Sequence, residues 1–245
     1  MSTTESGAAP AHTVARLLSI MRGGSAFPAL AETATGEKHL LKLSGSASGP
    51  RSLLAEFLAS RIAAHLDVAM PAVRPLFLPP GFPWQIGTDE FDEMLQRSYG
   101  WNLGVAYLPD ARVATAVELG RLPEGFTARL ERADRLLQNV DRTVANPNVL
   151  IDAGGQPWAI DFGACLFLDR IVNSTKLSFA LPAGHFLASS PVRAAASLPA
   201  RIPERDDVRT WIAETPRAWL ESIPFDAAAL EEELCAYFGA YARSH

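Results

Sequence analysis

The sequence predicts an α+β fold in two parts, β-rich toward the N-terminus and mostly helical toward the C-terminus. Three observations lead there. Short apolar runs bounded by Gly, Pro and Ser occupy residues 26–108 around a single helical stretch. From residue 126 onward the apolar spacing turns helical. One hairpin, over residues 148–160, is inserted into that helical half.

Taken in order, Met1 to about residue 12 reads as a disordered leader, with no basic start and no apolar stretch to make it a secretory signal. Residues 13–21 are apolar-rich and lead to Gly23-Gly24-Ser25. Ala26–Glu32 and Lys38–Leu43 read as strands around the turn Thr35-Gly36-Glu37. Residues 45–50 form a Gly/Ser loop ending in Pro50. A helix is predicted over Arg51–Leu66, where Leu54, Phe57, Leu58, Ile62 and Leu66 recur at helical spacing. Pro71, Pro75, Pro79, Pro80 and Pro83 then exclude regular helix and leave room for a strand at Val73–Leu78. A further strand, Asn102–Leu108, ends at Pro109-Asp110. Phe126, Leu130, Ala133, Leu137 and Val140 share one face of a helix over residues 126–140. Strands Asn148–Ile151 and Trp158–Ile160 flank the turn Asp152-Ala153-Gly154-Gly155. The stretch from Gly163 to Ala200 has no clear period, and two helices are expected near Asp207–Ser222 and Asp226–Ala242. The domain reading is a leader over 1–12, a β-rich lobe over 13–108 and a helical lobe over 109–245, with a ligand expected between the lobes.

Composition removes several function classes. The chain has 245 residues, 48% hydrophobic and 20% charged, which suits a globular core. A net charge of −5 argues against direct nucleic-acid binding and against an anionic membrane surface. No apolar run approaches the roughly 20 residues that span a bilayer. Cys165 and Cys235 offer neither a disulfide framework nor metal-ligand spacing, so a cytoplasmic protein with reduced thiols is expected. Only Lys38, Lys42 and Lys176 are lysines, against nineteen arginines, so a lysine inside an apolar strand invites a chemical explanation.

The residues that can carry chemistry gather in 139–163. Asp141 stands five residues before Asn146, an apolar strand follows, and the next strand ends in Asp161-Phe162-Gly163. One carboxylate to meet a substrate hydroxyl, with an amide and a second carboxylate to hold magnesium, is the arrangement phosphoryl transfer requires. Asp141 is the candidate catalytic group, although an aspartate here also suits a turn. Asn146 and Asn148 are competing amide ligands, the spacing favouring Asn146. Asp161, at the end of an apolar strand, calls for a positive partner, which is a metal or an arginine. Lys42, flanked by leucines, is the candidate for the nucleotide phosphates, held by Glu56 of the following helix; an edge-strand lysine in solvent is the alternative. The amides of Gly23, Gly24 and Ser25, and those of the Gly45–Gly49 loop, are candidates to cradle phosphate, where plain turns would also satisfy the sequence. Cys165 and His185 have no neighbouring partner in sequence and read as packing residues.

With these residues in view, the chain resembles the HipA-like kinases, in particular their short forms. The resemblance runs from Arg22 to Leu168 and is strongest over Asn139–Leu166. The run Asn-x-Asp-Arg-Thr-x-x-Asn-Pro-Asn followed by Ile-Asp-x-Gly is similar to that group's catalytic and metal loops, and more distantly to those of phosphatidylinositol kinases. It implies a bilobal protein-kinase-like fold, with ATP and Mg2+ as cofactors. Asp141 would be the catalytic aspartate, Asn146 and Asp161 the magnesium ligands, Lys42 the ATP-phosphate lysine and Glu56 its partner. By the same analogy it implies a protein serine/threonine acceptor and an antitoxin-like partner. The chain departs from the pattern at Val140, where eukaryotic protein kinases have His-Arg ahead of the aspartate, at Thr143, where many relatives have histidine, and in its minimal glycine loop. Two other readings stand beside this one. One is a catalytically inactive pseudokinase or interaction module. The other is a small-molecule phosphotransferase of the aminoglycoside or choline type, which shares the Asp-to-Asn spacing but approaches it through His-Gly-Asp.

Overall fold

The computed structural model describes residues 12–20, 28–84, 88–188 and 201–244. They form two compact units, one from Met1–Leu53 with Ala72–Tyr107, the other from Leu54–Pro71 with Leu108–His245. Residues 1–11 of the expected leader, Gly23-Gly24-Ser25 and residues 189–200 lie outside the described residues.

The first unit is built on a five-stranded antiparallel sheet in the order β1-β2-β3-β5-β4, comprising β1 (Val14–Ile20), β2 (Ala29–Thr33), β3 (Lys38–Lys42), β4 (Val73–Leu78) and β5 (Gly100–Ala106). Period-2 alternation sets its faces: His39 and Leu41 are buried, while Lys38, Leu40 and Lys42 turn to the opposite side. Pro75 is tolerated because β4 is an edge strand. β1 was not legible as a strand. Its pairing with β2 is irregular between Val14 and Arg16 and between Leu17 and Ser19, so its inward residues recur as Val14, Leu17 and Ile20 instead of alternating. α2 (Asp89–Gln96) was also unexpected after so many prolines. Acidic residues Asp89, Glu90 and Asp92 complement its N-terminal dipole, and Phe91, Met94 and Leu95 seal a core that includes Leu17, Leu41, Leu76 and Leu78. Burying each of those three is worth about 1.5–3 kcal/mol.

The loop after β3 is tied down. Ser44 N–H donates to Asn102 Oδ1 at 2.8 Å, Gly45 N–H to Ser98 Oγ at 2.9 Å, and Ser46 N–H to Leu43 C=O at 3.2 Å. These bonds commit the Ser44, Gly45 and Ser46 amides within the unit, so the start of the loop is built as a structural turn. A Cβ on Gly45 would meet Met94 O at 2.6 Å and Arg97 Cβ at 2.7 Å. Gly45→Ala is expected to cost about 1–3 kcal/mol in urea unfolding; an unchanged midpoint would show that α2 gives way freely.

α1 (Gly49–His65) is buried on nearly every side from Leu53 to Ala63. It starts earlier than the spacing predicts, because Pro50 in the first turn needs no N–H partner. Residues 54–71, placed by the sequence in the β-rich lobe, group with the second unit. There Arg61 pairs with Glu214 at 2.7 Å, Arg201 with Asp67 at 3.0 Å, and Ala159 N–H donates to Ala69 C=O at 2.8 Å.

The second unit adds a small antiparallel sheet, β6 (Arg112–Val113), β7 (Val149–Ile151) and β8 (Pro157–Ala159), to α3 (Ala116–Leu119), α4 (Glu124–Leu137), α5 (Phe167–Val172), α6 (Arg205–Glu214), α7 (Arg217–Leu220) and α8 (Ala227–Ser244). Pro216 divides what the sequence read as one helix into α6 and α7. α8 buries Leu230, Leu234, Tyr237, Phe238 and Tyr241 along one stripe, and Glu231 and Glu232 hold Arg205 of α6. Among the described residues no helix is long and apolar enough to cross a membrane.

Candidate active site

The site is assembled where α4 ends. Gln138 leaves the helix in the left-handed conformation, φ 53°, so the helix stops before Val140, which is 45% exposed and not on the buried face the spacing assigned to it. Gln138 is anchored in turn, its Nε2 donating to Tyr237 Oη at 3.0 Å and its C=O accepting from Leu166 N–H at 3.2 Å. Two of the other non-glycine residues at positive φ, Asn148 at 47° and Asp161 at 54°, belong to the same loops. Backbone held in this region is maintained by its surroundings and concentrates at functional sites.

Asp134, on the last turns of α4 and fully buried, organises the loop beyond the helix. Its Oδ1 accepts from Asn139 Nδ2 at 3.0 Å, and its Oδ2 accepts from Arg142 Nε at 2.8 Å and from His185 Nε2 at 3.0 Å. Arg142 is also fully buried. Its Nη1 donates to the carbonyls of Pro147 at 3.1 Å and Asn148 at 2.6 Å, its Nη2 to Ile160 C=O at 3.4 Å, and its guanidinium lies 5.0 Å from the Phe162 ring centre. One guanidinium thus fixes both the loop after Asp141 and the strand end before Asp161. An ion pair removed from water this completely needs such full hydrogen bonding.

Against that frame stands Asp141, half-buried, its N–H donating to Asn139 Oδ1 at 3.1 Å. Asn146 Nδ2 donates to Asp141 Oδ2 at 2.8 Å and Asn148 Nδ2 approaches the same oxygen at 3.4 Å. Facing a carboxylate with the nitrogen leaves each amide oxygen as the atom that can meet a cation. Both amides predicted from the sequence are therefore brought to Asp141, and the geometry does not choose between them.

The hairpin carries Asp161 alongside. Val149 pairs with Ala159, and Ile160 N–H donates to Asn148 C=O at 2.9 Å, so Asn148 and Asp161 flank the open end of one ladder. At its closed end Asp152 accepts from the N–H groups of Gly154 and Gln156 and from the Trp158 indole, each at 2.9 Å. The Trp158 indole first, then the Gln156 N–H, hold the Asp152 carboxyl below the usual range. Asp161 is exposed, and a Cβ on Gly163 would lie 3.2 Å from Asp161 Oδ1 and 3.3 Å from Glu56 Oε2. Both carboxylates therefore lie close to Gly163, where a larger side chain would require one of them to shift. Glu56 itself is 4% exposed.

Lys42 is half-buried on β3, opposite Leu103 of β5, in the first unit. Cys165 is buried, which with the nearby Asp134 charge pushes its thiol well up and suits an inert packing role. Asp134, Arg142 and His185 were not foreseen. Arg142 lies within the recognised run, but only the fold shows it buried, and His185 is 51 residues from its partner Asp134. Among the described residues no group of three or more His, Cys, Asp or Glu side chains is placed to hold a metal. A divalent cation here would rest on one or two carboxylates and amide oxygens. That hard-oxygen set suits Mg2+, which normally takes few protein ligands and completes its shell with phosphates and water.

No known family model matches the chain, and the search of curated proteins finds no match. Among solved structures, the chain is similar to the Helicobacter pylori proinflammatory kinase CtkA, with a TM-score of 0.55 at 13% identity, covering 90% of this chain and 88% of that one. An aminoglycoside phosphotransferase from Alicyclobacillus acidocaldarius aligns over 93% of this chain and 92% of its own at 12% identity, but its TM-score of 0.29 carries no argument. The chain has a protein-kinase-like α+β fold.

Proposed function

We propose that this protein is an ATP- and Mg2+-dependent phosphotransferase, akin to HipA-like kinases, that moves the γ-phosphoryl group to a hydroxyl acceptor of the protein serine or threonine class. The observation that supports this most is the convergence of Asn146 and Asn148 on the Asp141 carboxylate beside the hairpin end that bears Asp161. The kinase-like fold adds to it, although fold by itself does not define chemistry.

In this reading Asp161, with the amide oxygen of Asn146 or Asn148, holds Mg2+, which when bound neutralises phosphate charge. Lys42 serves the nucleotide phosphates. Asp141 orients the acceptor hydroxyl and takes its proton as the oxygen attacks the γ-phosphorus and the bond to the ADP oxygen breaks. Arg142 and Asp134 keep Asp141 and Asp161 in place, so catalysis is chiefly positioning and charge stabilisation. Transfer from γ-labelled ATP tests this. Asp141→Asn keeps an oxygen for Asn146 but removes the base, and is expected to lower transfer by at least about a hundredfold while Mg-ATP still binds. An unchanged rate makes Asp141 structural. Absence of transfer by the wild type to protein, sugar and amino-alcohol acceptors would overturn the reading.

A further inference from the structure

The buried histidine at the end of the segment after α5 has no role in that chemistry, yet it touches the network that arranges it. His185 is 4% exposed. Its Nδ1 accepts from Leu187 N–H at 3.1 Å, which places the ring proton on Nε2, where it donates to Asp134 Oδ2 at 3.0 Å. The same short segment pairs with the loop directly: Thr143 and His185 form an antiparallel bridge, and Phe186 N–H donates to Arg142 C=O at 3.1 Å. Asp134 Oδ2 is shared between His185 and Arg142, and Asp134 Oδ1 holds Asn139, which holds the Asp141 N–H. The side-chain route from His185 to Asp141 and to the Ile160 carbonyl therefore passes through one carboxylate.

The geometry points to His185 as a positioning residue: it latches residues 182–188 onto the loop that carries Asp141 and fixes the rotamer of Asp134, and the alignment of Asp141 depends on that latch. The inference rests on the phosphotransfer reading for its kinetic consequence, but not for its structural one.

The two ring nitrogens can be separated by substitution. In His185→Asn the side-chain oxygen sits where Nδ1 does and keeps the Leu187 turn, but no group reaches Asp134. In His185→Gln the amide nitrogen sits where Nε2 does and keeps the bond to Asp134. The experiment measures three quantities for the wild type and both variants: amide hydrogen exchange over residues 139–148, Mg-ATP affinity, and kcat for transfer from labelled ATP. The expected result for His185→Asn is exchange at least about tenfold faster in 139–148 with α8 unchanged, about a tenfold lower kcat, and Mg-ATP affinity within about twofold of wild type, with His185→Gln restoring both exchange and kcat. The proposal is overturned if folded His185→Asn keeps wild-type exchange in the loop, if its exchange rises uniformly through the unit, or if His185→Gln behaves as His185→Asn does. Should the wild type transfer no phosphate, the kinase reading falls while the exchange data still decide the latch.

Discussion

Asp134→Ala is expected to lower the unfolding free energy by about 3–5 kcal/mol, the cost of breaking a buried ion pair by removing one partner. Asp134 and Arg142 are both fully buried and bonded at 2.8 Å. Without the carboxylate, Arg142 keeps its three carbonyl acceptors but loses the only carboxylate bonded to it among the described residues. Asn139 and His185 lose an acceptor at the same time. Leaving buried donors unsatisfied adds about 1–3 kcal/mol each where water cannot enter. Urea unfolding followed by tryptophan fluorescence measures the change. The double variant Asp134→Ala, Arg142→Met should be less destabilised than the sum of its single variants, because it removes the stranded charge. A loss below about 1 kcal/mol for Asp134→Ala would mean that water reaches the guanidinium and that the network does not organise the loop.

The second large effect is expected at Asp161. Its carboxylate is exposed at the open end of the β7–β8 hairpin, next to Gly163 and the buried Glu56. Asp161→Ala should weaken Mg-ATP binding roughly a hundredfold or more, about 2.8 kcal/mol at about 1.4 kcal/mol per tenfold. Two things change in that variant, since alanine also tolerates φ 54° less well than aspartate. Asp161→Asn keeps a side chain suited to that backbone and removes only the charge. Both variants should lose binding, while only Asp161→Ala should also show a lowered unfolding midpoint. If Asp161→Asn binds as the wild type does, the metal carboxylate lies elsewhere.

The sequence carried much of this because the chemistry is compact in it. Asp141, Asn146, Asn148 and Asp161 lie within 21 residues, and a hairpin with a clear Asp-Ala-Gly-Gly turn returns the chain from Asn148 to Asp161, so those two reach one end of a ladder. The strands with clean alternation, β2 and β3, and the Pro-bounded β4 were legible for the same reason. What stayed hidden depended on tertiary partners. β1 lost its period to irregular pairing. α2 is only eight residues long, and its apolar stripe has meaning only against the sheet. The Gly45 loop looked free, but Asn102 and Ser98, more than fifty residues away, hold the Ser44 and Gly45 amides at its start. His185 stands alone in sequence, and only the return of residues 182–188 to the loop gives it Asp134 as a partner.

The most direct test of the central proposal is calorimetric titration of Mg-ATP into the wild-type protein, with Asp161→Asn as the control. Saturable binding by the wild type, dependent on Mg2+ and lost in the variant, is the predicted result. A folded wild type that takes up no Mg-ATP, or a variant that binds it equally well, would contradict the account and leave residues 139–163 as a structural element of a binding module.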